Sequence, residues 1–272
     1  MTSRRLSLPP FEGRIADAFD APEVLALLAE PETLFENAGA EALPAGRNRI
    51  VATKIAYGPS GTADIVVKEF RLRGIDALKS AVLPSKAAKA WRGAGFLRDA
   101  GFETAAPIAF LEKREGGFVE RGYFVTERVR DGGEIRALLR GLPDDLLRPL
   151  LAALAKTLAR LHDKGILHRD LSDGNILVKE TAGAFRFIFL DTNRVRRRRR
   201  LGAAARAKNL IRLGIPPAHR LFFLEAYAAA KNRPLSRTFV FWYALNKKVF
   251  SGWVRFKKAL RLKTISRKLK IQ

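Results

Sequence analysis

The chain has 272 residues, 47% of them hydrophobic, and its 51 Lys and Arg against 27 Asp and Glu give a formal net charge of +24. It has no cysteine and three histidines, which excludes disulfides and thiolate metal sites and argues against a His-rich metal site. The N-terminus has no continuous apolar stretch, and no apolar run approaches the ~20 residues of a membrane-spanning helix. We therefore expect a soluble protein of a reducing compartment, built as one large bilobal domain or two small ones.

The positive charge is concentrated towards the C-terminus. Residues 194–272 hold 23 of the 51 basic residues and a single acid, Glu225, so this part has a net charge of +22 and residues 1–193 have +2. Such an asymmetry indicates an anionic partner: a nucleic acid, an anionic membrane surface or a phosphorylated substrate.

The first 130 residues are predicted to be mostly β-structure. Four segments are rich in β-branched and aromatic residues and are separated by turn residues, which predicts two hairpins; these segments are 49–58, 64–72, 106–113 and 122–129. Residues 22–30 and 84–100 are typical of helices, the second with Ser85 as its N-cap and Gly101 as its end.

After residue 130 the hydrophobic period changes to that of a helix. In "DDLLRPLLAALAKTLARLHDKG" we expect Asp144 or Asp145 to cap the helix and Gly165 to end it. Its apolar face is predicted to consist of Leu147, Leu150, Leu151, Leu154, Leu158 and Leu161. A loop, the strands "NILVKE" and "FRFIFLD" and a basic helical remainder follow. The predicted fold class is α+β, with a β-rich lobe followed by a mainly helical lobe.

The loop "GILHRDLSDGNILV" (165–178) carries residues suited to phosphoryl transfer. Transfer from ATP needs a base near the acceptor hydroxyl, metal ligands that bridge the phosphates and a cation on the phosphates. The spacing of Asp170 and Asn175 matches D-L-x-x-x-N of the kinase catalytic loop, which predicts Asp170 as the base and Asn175 as a Mg²⁺ ligand. Asp191, which ends "FIFLD", is the expected second metal ligand, and the strand residue Lys68 the expected phosphate anchor.

Each of these residues also has an ordinary structural explanation. An Asp in a loop is usually a cap or turn residue, Lys68 alone would be a solvated strand lysine, and His168 alone a satisfied core histidine. The whole octet "HRDLSDGN", in which His168 and Arg169 precede Asp170, is much more specific than its members, because it stands between the expected elements in the expected order.

The chain resembles the protein-kinase-like superfamily and, within it, the lipopolysaccharide kinase (Kdo/WaaP) family of bacteria. The stretches that carry the resemblance cover roughly residues 47–230 and are "DIVVKEF", "GYFVTERV", "LARLHDKGILHRDLSDGNILV", "FIFLDTNRVR" and "HRLFFLEAYAAA". The resemblance implies a bilobal protein-kinase-like fold. It divides the chain into an N-terminal extension, an N-lobe, a C-lobe and a basic C-terminal helical segment, at 1–30, 31–129, 130–230 and 231–272.

The same resemblance implies a reaction. The donor would be ATP with Mg²⁺, and the acceptor a sugar hydroxyl in the Kdo or heptose core of lipopolysaccharide, at the cytoplasmic face of the inner membrane. Backbone groups from Glu127 to Val129 would bind adenine. The glycine-rich loop over the phosphates would be the degenerate "NAGAEALPAG", which supplies only Gly39 and Gly46.

Several positions differ from the pattern of protein kinases. Asp191 opens "DTNR" where those have D-F-G, no A-P-E follows, and Ser172 stands where a Ser/Thr protein kinase usually carries Lys. There is no acid between Asp76 and Asp99, so the helix lacks the Glu that usually pairs with the strand lysine. Asp76, Asp99 or a distant carboxylate would have to replace it.

Two basic segments follow the predicted site. "RVRRRRRLG" (194–202) is either a solvated charge run, the commoner case, or a grip on an anionic acceptor. The C-terminal residues 246–272 combine ten Lys or Arg with apolar and aromatic residues, as in helices that lie on anionic membranes. RNA binding is the less favoured alternative for this segment.

Three hypotheses therefore stand at the level of the sequence. The first is a kinase of a lipopolysaccharide-type glycolipid. The second is a kinase of a protein or small molecule, including the compact ribosome-associated atypical kinases. The third is an inactive kinase fold that serves as a basic RNA- or membrane-binding module, which the missing helix glutamate favours and the intact Asp170, Asn175 and Asp191 oppose.

Overall fold

The structure is a computed structural model that describes residues 2–37, 39–43, 48–57, 61–72, 74–181 and 183–269, without the side chains of Asp76 and of residues beyond 260. The chain forms two compact units. We call Met1–Gly133 together with Asn175–Arg196 the β-rich unit, and Glu134–Gly174 together with Arg197–Gln272 the helical unit.

Most of the strands precede residue 135, and the described part of the chain ends in three α-helices. The strands are β1 (Ser3–Leu8), β2 (Phe11–Ala16), β3 (Glu41–Ala42), β4 (Arg49–Tyr57), β5 (Gly61–Arg71), β6 (Glu103–Thr104), β7 (Pro107–Glu115), β8 (Phe118–Glu127), β9 (Gly133–Glu134), β10 (Ile166–His168), β11 (Ile176–Thr181), β12 (Ala184–Phe189) and β13 (Val195–Arg197). The helices are α1 (Pro22–Ala29), α2 (Ile75–Lys79), α3 (Lys86–Asp99), α4 (Ile135–Gly141), α5 (Asp144–Asp163), α6 (Ala203–Leu210), α7 (Arg220–Ala229) and α8 (Arg237–Leu269).

The β-rich unit is organised by a large antiparallel sheet. Within the described residues the sheet has seven strands in the order β1-β2-β7-β8-β5-β4-β3. Both predicted hairpins are present, as β4–β5 and β7–β8. The hairpin β1–β2 is not predicted by the sequence analysis; it pairs with β7 and extends the sheet.

Helix α3 packs on this sheet through its small residues. The predicted N-cap is confirmed, because Ser85 Oγ accepts a hydrogen bond from Ala88 N at 3.0 Å. The helix ends before Gly101, whose φ of +77° suits a residue without Cβ. The helix contacts β7, β8 and the turn Thr192–Arg194, and its buried residues are Ala87, Ala90, Trp91, Gly93, Ala94 and Leu97.

Helix α5 is the core of the helical unit. All six leucines of the predicted apolar face are buried, and Gly165, with φ of +73°, follows the helix as expected. The predicted cap is wrong: Pro143 is the N-cap, and Asp144 is already the first helical residue. The carboxylate of Asp144 instead contacts His219 Nε2 at 3.1 Å.

Helix α8 is the longest helix, with 33 residues. Its first turns pack within the helical unit, where Phe239 stacks on Tyr227 at 5.4 Å between ring centroids and Tyr243 is buried. In the described part of the chain, neither α8 nor any other helix has the length and apolar character needed to cross a bilayer.

Candidate active site

The predicted phosphate anchor has a carboxylate partner. Lys68 lies on β5, opposite Ile50 of β4 and Phe124 of β8, and its side chain is largely buried. Its Nζ lies 2.5 Å from Oδ1 of Asp191. Lys68 therefore pairs with a distant carboxylate and not with a glutamate of α3. This carboxylate belongs to Asp191, which the sequence also predicts as a metal ligand. Asp99, at the end of α3, is exposed.

The two predicted metal ligands stand at the same end of one hairpin. In the β11–β12 pair Ile176 lies opposite Phe189, and Leu190 N donates to the carbonyl oxygen of Asn175 at 2.9 Å. Asn175 therefore stands just before β11, and Asp191 stands just after β12, at the same end of the hairpin. Side-chain oxygens of Asn and Asp are hard ligands of the kind that Mg²⁺ takes. The chemistry of these two side chains therefore fits magnesium, and their role as its ligands stays a prediction.

The backbone of Asp191 has an unusual conformation. Its φ of 53° and ψ of 51° lie in the left-handed region, which a non-glycine residue adopts only when its surroundings hold it there. The following residue supplies one such contact, because Thr192 Oγ1 donates to the carbonyl oxygen of Ala90 in α3 at 2.7 Å.

Gly93 lets α3 approach Asp191 closely. A Cβ on Gly93 would lie 2.0 Å from the carbonyl oxygen of Thr192, so only glycine fits this contact. Helix α3 and the turn after Asp191 are therefore joined by the close approach of Gly93 to the backbone of Thr192 and by the hydrogen bond from the Thr192 hydroxyl to Ala90.

The predicted adenine-binding segment lies beside a cavity. Glu127 N donates to Ala106 O and Arg128 N to Asp64 O, both at 2.8 Å, so two amides of this segment are engaged within the sheet region. A cavity of about 770 Å³ is lined by Glu127 and Val129 and by four basic residues, Arg98, Arg128, Arg130 and Lys179. Its lining does not include Lys68, Asn175 or Asp191.

The predicted phosphate loop is described only in part. Gly39 is exposed two residues before β3, and a Cβ there would meet nothing within 4 Å. Gly46 lies outside the described residues.

In the helical unit, buried polar groups hold the loop that carries Asp170. His168 is fully buried; its Nδ1 accepts from Asp170 N at 3.3 Å, and its carbonyl oxygen accepts from Asn209 Nδ2 at 2.7 Å. Asn209 Oδ1 contacts Nε2 of His162 at 3.0 Å, and Nδ1 of His162 contacts Tyr227 Oη at 2.7 Å. Helices α5, α6 and α7 are thereby linked to the loop.

This buried environment keeps His162 neutral. Burial lowers its pKa to about 4, with the hydrogen bond to Asn209 acting in the opposite direction. A neutral imidazole with Nε2 protonated matches both partners, because Nε2 then donates to the Asn209 oxygen and Nδ1 accepts from the Tyr227 hydroxyl.

Asp170 itself contacts a residue that the sequence analysis does not identify. Oδ1 of Asp170 lies 2.7 Å from Nη2 of Arg212, in the segment after α6. The next acid of the loop, Asp173, lies 3.3 Å from Arg136 Nη2. The predicted catalytic residue Arg169 is exposed. No local spacing signals Arg212, since it is brought to Asp170 by the fold.

The arginine run is part of the ordered backbone. Arg198 N donates to Gly165 O at 2.8 Å, and a Cβ on Gly165 would lie 2.0 Å from the carbonyl oxygen of Arg198. The guanidinium of Arg196 donates to the carbonyl oxygen of Asn193 at 3.0 Å. The beginning of this run is therefore more structured than a freely solvated tract.

The chain is similar to known kinases. The family model of the lipopolysaccharide kinase (Kdo/WaaP) family matches residues 76–221. A probable serine/threonine-protein kinase of Dictyostelium discoideum is 35% identical over 80 residues, which are 25% of this chain and only 17% of that relative's length.

A solved structure has the same fold. It is WaaP in complex with acyl carrier protein, which is 21% identical; the match covers 80% of this chain and 90% of that chain with a TM-score of 0.58. The expected α+β, protein-kinase-like fold class is thereby confirmed. Because the family model covers more than half of its residues, this chain belongs to the lipopolysaccharide kinase (Kdo/WaaP) family.

Proposed function

We propose that this protein transfers the γ-phosphoryl group of ATP to a sugar hydroxyl of a lipopolysaccharide-core glycolipid of the Kdo or heptose type. Membership of the family supports a phosphotransferase that acts on such a glycolipid. The observation that carries the proposal is the 2.5 Å contact of Lys68 with Asp191. Helix α3 has no glutamate for Lys68, which favours an inactive fold. Asp191 supplies the missing carboxylate and so supports an active one.

The β-rich unit has the residues for the nucleotide. Lys68 binds the phosphates, and Asn175 and Asp191 hold Mg²⁺, which when bound neutralises charge on the phosphate oxygens. The amides of Glu127 and Arg128 already donate hydrogen bonds within the unit. The segment 127–129 therefore contacts adenine through its carbonyl oxygens and through the backbone amide of Val129. The backbone amide of Gly39 would contact the phosphates, a role that the sequence predicts for Gly46 as well.

The helical unit has the residues for the acceptor. Asp170 orients the sugar hydroxyl and accepts its proton during transfer. His168 is fully buried and bonded to the loop backbone, so we assign it the positioning of Asp170. Arg169 is exposed and so able to contact an anionic acceptor.

A stripe of exposed apolar side chains on α8 suits a membrane surface. Its members follow one another at spacings of three or four residues, which places them on one face of the helix; they are Trp242, Leu245, Val249, Trp253, Phe256 and Leu260. Lys248, Arg255 and Lys257 lie beside the stripe, and residues 226–272 contain no acid. We propose that α8 lies on the anionic cytoplasmic face of the inner membrane, where the acceptor is embedded.

The direct test is transfer of labelled γ-phosphate from ATP and Mg²⁺ to a total glycolipid extract. Label in the lipid fraction with the wild type, absent with Asp170→Asn, would support the proposal. Label in protein or in a soluble small molecule would instead favour the second hypothesis. Nucleotide binding without transfer to any acceptor would favour an inactive module that binds a membrane or RNA through its basic helix.

A further inference from the structure

We infer that Arg212, brought to Asp170 by the fold, supplies positive charge at the transferred phosphoryl group. The inference rests on the proposed function, because it takes Asp170 as the group that accepts the hydroxyl proton. The structural observation is the contact of 2.7 Å between Nη2 of Arg212 and Oδ1 of Asp170.

The chemistry of transfer demands a cation at this place. The bond between the γ-phosphorus and the bridging oxygen of ATP breaks, and a new bond forms to the acceptor oxygen. The hydroxyl proton passes to Asp170, and ADP leaves with the bridging electron pair. Between these states the negative charge is spread over the three equatorial oxygens, where an arginine supplied from elsewhere in the chain is strongly stabilising.

The part of the loop from Asp170 to Asn175 has no cation of its own, and the exposed Arg169 before it is assigned to the acceptor. Residues 170–175 read "DLSDGN" and contain two acids and no Lys or Arg. A hydroxyl bonded to Asp170 lies about 3 Å from its carboxylate, and the phosphorus that it attacks lies about 3–3.5 Å further. A guanidinium at 2.7 Å from the same carboxylate therefore reaches the equatorial oxygens with a small movement of its side chain.

The backbone around Arg212 is held rigidly by α8. Nζ of Lys247 donates to the carbonyl oxygens of Ile211 at 2.6 Å and Leu213 at 3.0 Å, the residues on either side of Arg212. The side chains of Ile211 and Leu213 are buried. The guanidinium carbon of Arg212 lies 5.5 Å from the ring centroid of Phe250.

The segment also lies directly against the loop. The backbone of Gly214 lies close to the carboxylate of Asp173, because a Cβ built there would come 2.5 Å from Oδ2 of Asp173. Arg212 is thus presented by a fixed backbone while its side chain is partly exposed, at 36%. A rigid backbone with an accessible guanidinium is what preorganised stabilisation of developing charge requires.

The alternative is that Arg212 only orders Asp170, as exposed ion pairs commonly do at little energetic benefit. A transition-state mimic separates these roles, because ADP, Mg²⁺ and fluoroaluminate imitate the transferring phosphoryl group without an acceptor. We expect this mixture to stabilise the wild type against heat more than ADP and Mg²⁺ alone. Arg212→Ala should lose that additional stabilisation and keep the stabilisation by ADP and Mg²⁺.

Turnover gives the second readout. We expect Arg212→Ala to lower kcat by about 10²–10³-fold, the usual cost of one preorganised donor, with the KM for ATP within about threefold of the wild type. Arg212→Lys should recover part of kcat, and free guanidinium should recover part of the activity of Arg212→Ala. Arg148→Gln is the matched control, since Arg148 also lies over an aromatic ring, Phe222, at 4.4 Å, in the same unit.

The outcomes distinguish the two proposals. A fluoroaluminate effect that persists in Arg212→Ala, or a kcat within about twofold of the wild type, would overturn the role of Arg212 and leave the proposed function intact. Equal losses of kcat and melting temperature in Arg212→Ala and Arg148→Gln would show a merely structural role. A wild type that binds no nucleotide would overturn the proposed function, and this inference with it.

Discussion

The two units of the molecule each contain a carboxylate and a cation in close contact, but they obtain them differently. In the β-rich unit Lys68 meets Asp191 at 2.5 Å, and in the helical unit Arg212 meets Asp170 at 2.7 Å. Three of these four residues lie within or beside recognisable sequence motifs. Arg212 does not, because it follows α6 in a segment without any local signature.

The two pairs differ in how their members are reached along the chain. The residues that we propose for the nucleotide stand at strand positions and strand ends, which the sheet register places. The loop that we propose for the acceptor has its cation, Arg212, some 40 residues further along the chain from Asp170. A residue at position 212 can therefore be replaced without any change in the sequence of the loop motif.

The strongest test of the acceptor side is Asp170→Asn. It keeps the shape of the side chain and removes the proton acceptor, so we expect kcat to fall by about 10³-fold or more while the affinity for ATP stays within about twofold. Transfer assays and nucleotide titration measure the two quantities. Asp145→Asn, the same change at an exposed position in α5, is the control. Unchanged turnover in Asp170→Asn would remove Asp170 from the mechanism.

The corresponding test of the nucleotide side is Asp191→Ala. It removes a predicted metal ligand and leaves Lys68 without its carboxylate partner, so we expect Mg²⁺-dependent nucleotide affinity to fall by about 10²-fold, as for the loss of one to two charge-assisted contacts. Titration of ATP with and without Mg²⁺ measures it. Asp131→Ala is matched, because Asp131 is another non-glycine residue with positive φ, 59°, in the same unit. A normal metal dependence in Asp191→Ala would contradict the assignment.

Much of this site is predictable from sequence because local pattern and position coincide. Lys68 lies on an expected strand, Asn175 and Asp191 bracket an expected hairpin, and Asp170 stands at the expected spacing. The roles of these residues stay predictions that the experiments above address.

Other features depend on tertiary contacts that no local pattern encodes. The strands β1 and β2 have only six residues each; β2 pairs with the edge of β7, and β1 pairs with β2 in turn. The cap at Asp144 fails because Pro143 occupies the N-cap and His219 takes the carboxylate. The contact of Lys68 with Asp191 joins residues 123 positions apart.

A change of pH tests the anchoring of the acceptor-side loop separately. The pKa of His162 is lowered to about 4 in the folded protein, against about 6.5 in the unfolded chain. The unfolded state therefore binds more protons between these values, and the contribution to stability is present above pH 6.5 and is lost as the pH falls towards 4. We expect a loss of about 2 kcal/mol between pH 7.5 and 5.

Urea unfolding of wild type and His162→Gln at both pH values measures this contribution. The variant should be less stable at pH 7.5 and should lose less stability on acidification, since it has no imidazole at this position. His219→Gln is the control for a partly buried histidine whose partner, Asp144, is exposed. Parallel pH dependences of wild type and His162→Gln would contradict the role given to the buried imidazole.

The smallest expected effect concerns α8, which carries Lys247 and Phe250 on the face packed towards Arg212 and the apolar stripe on its exposed face. Because the two faces are distinct, a change in the stripe should weaken membrane binding without disturbing the acceptor side. We expect Trp253→Glu combined with Phe256→Glu to lower affinity for vesicles containing phosphatidylglycerol by about tenfold, which is 1.4 kcal/mol.

Sedimentation with vesicles at several salt concentrations measures this affinity, and turnover on detergent-solubilised acceptor shows whether the site is intact. The matched control replaces two exposed apolar residues outside α8, Phe118→Glu with Leu146→Glu. If α8 binds RNA instead, the vesicle curves of wild type and double variant would coincide while RNA affinity falls. If turnover falls together with vesicle binding, the two faces of α8 are coupled. Membrane binding by α8 would then change the position of Arg212 beside Asp170, because Lys247 of α8 contacts the backbone on either side of Arg212.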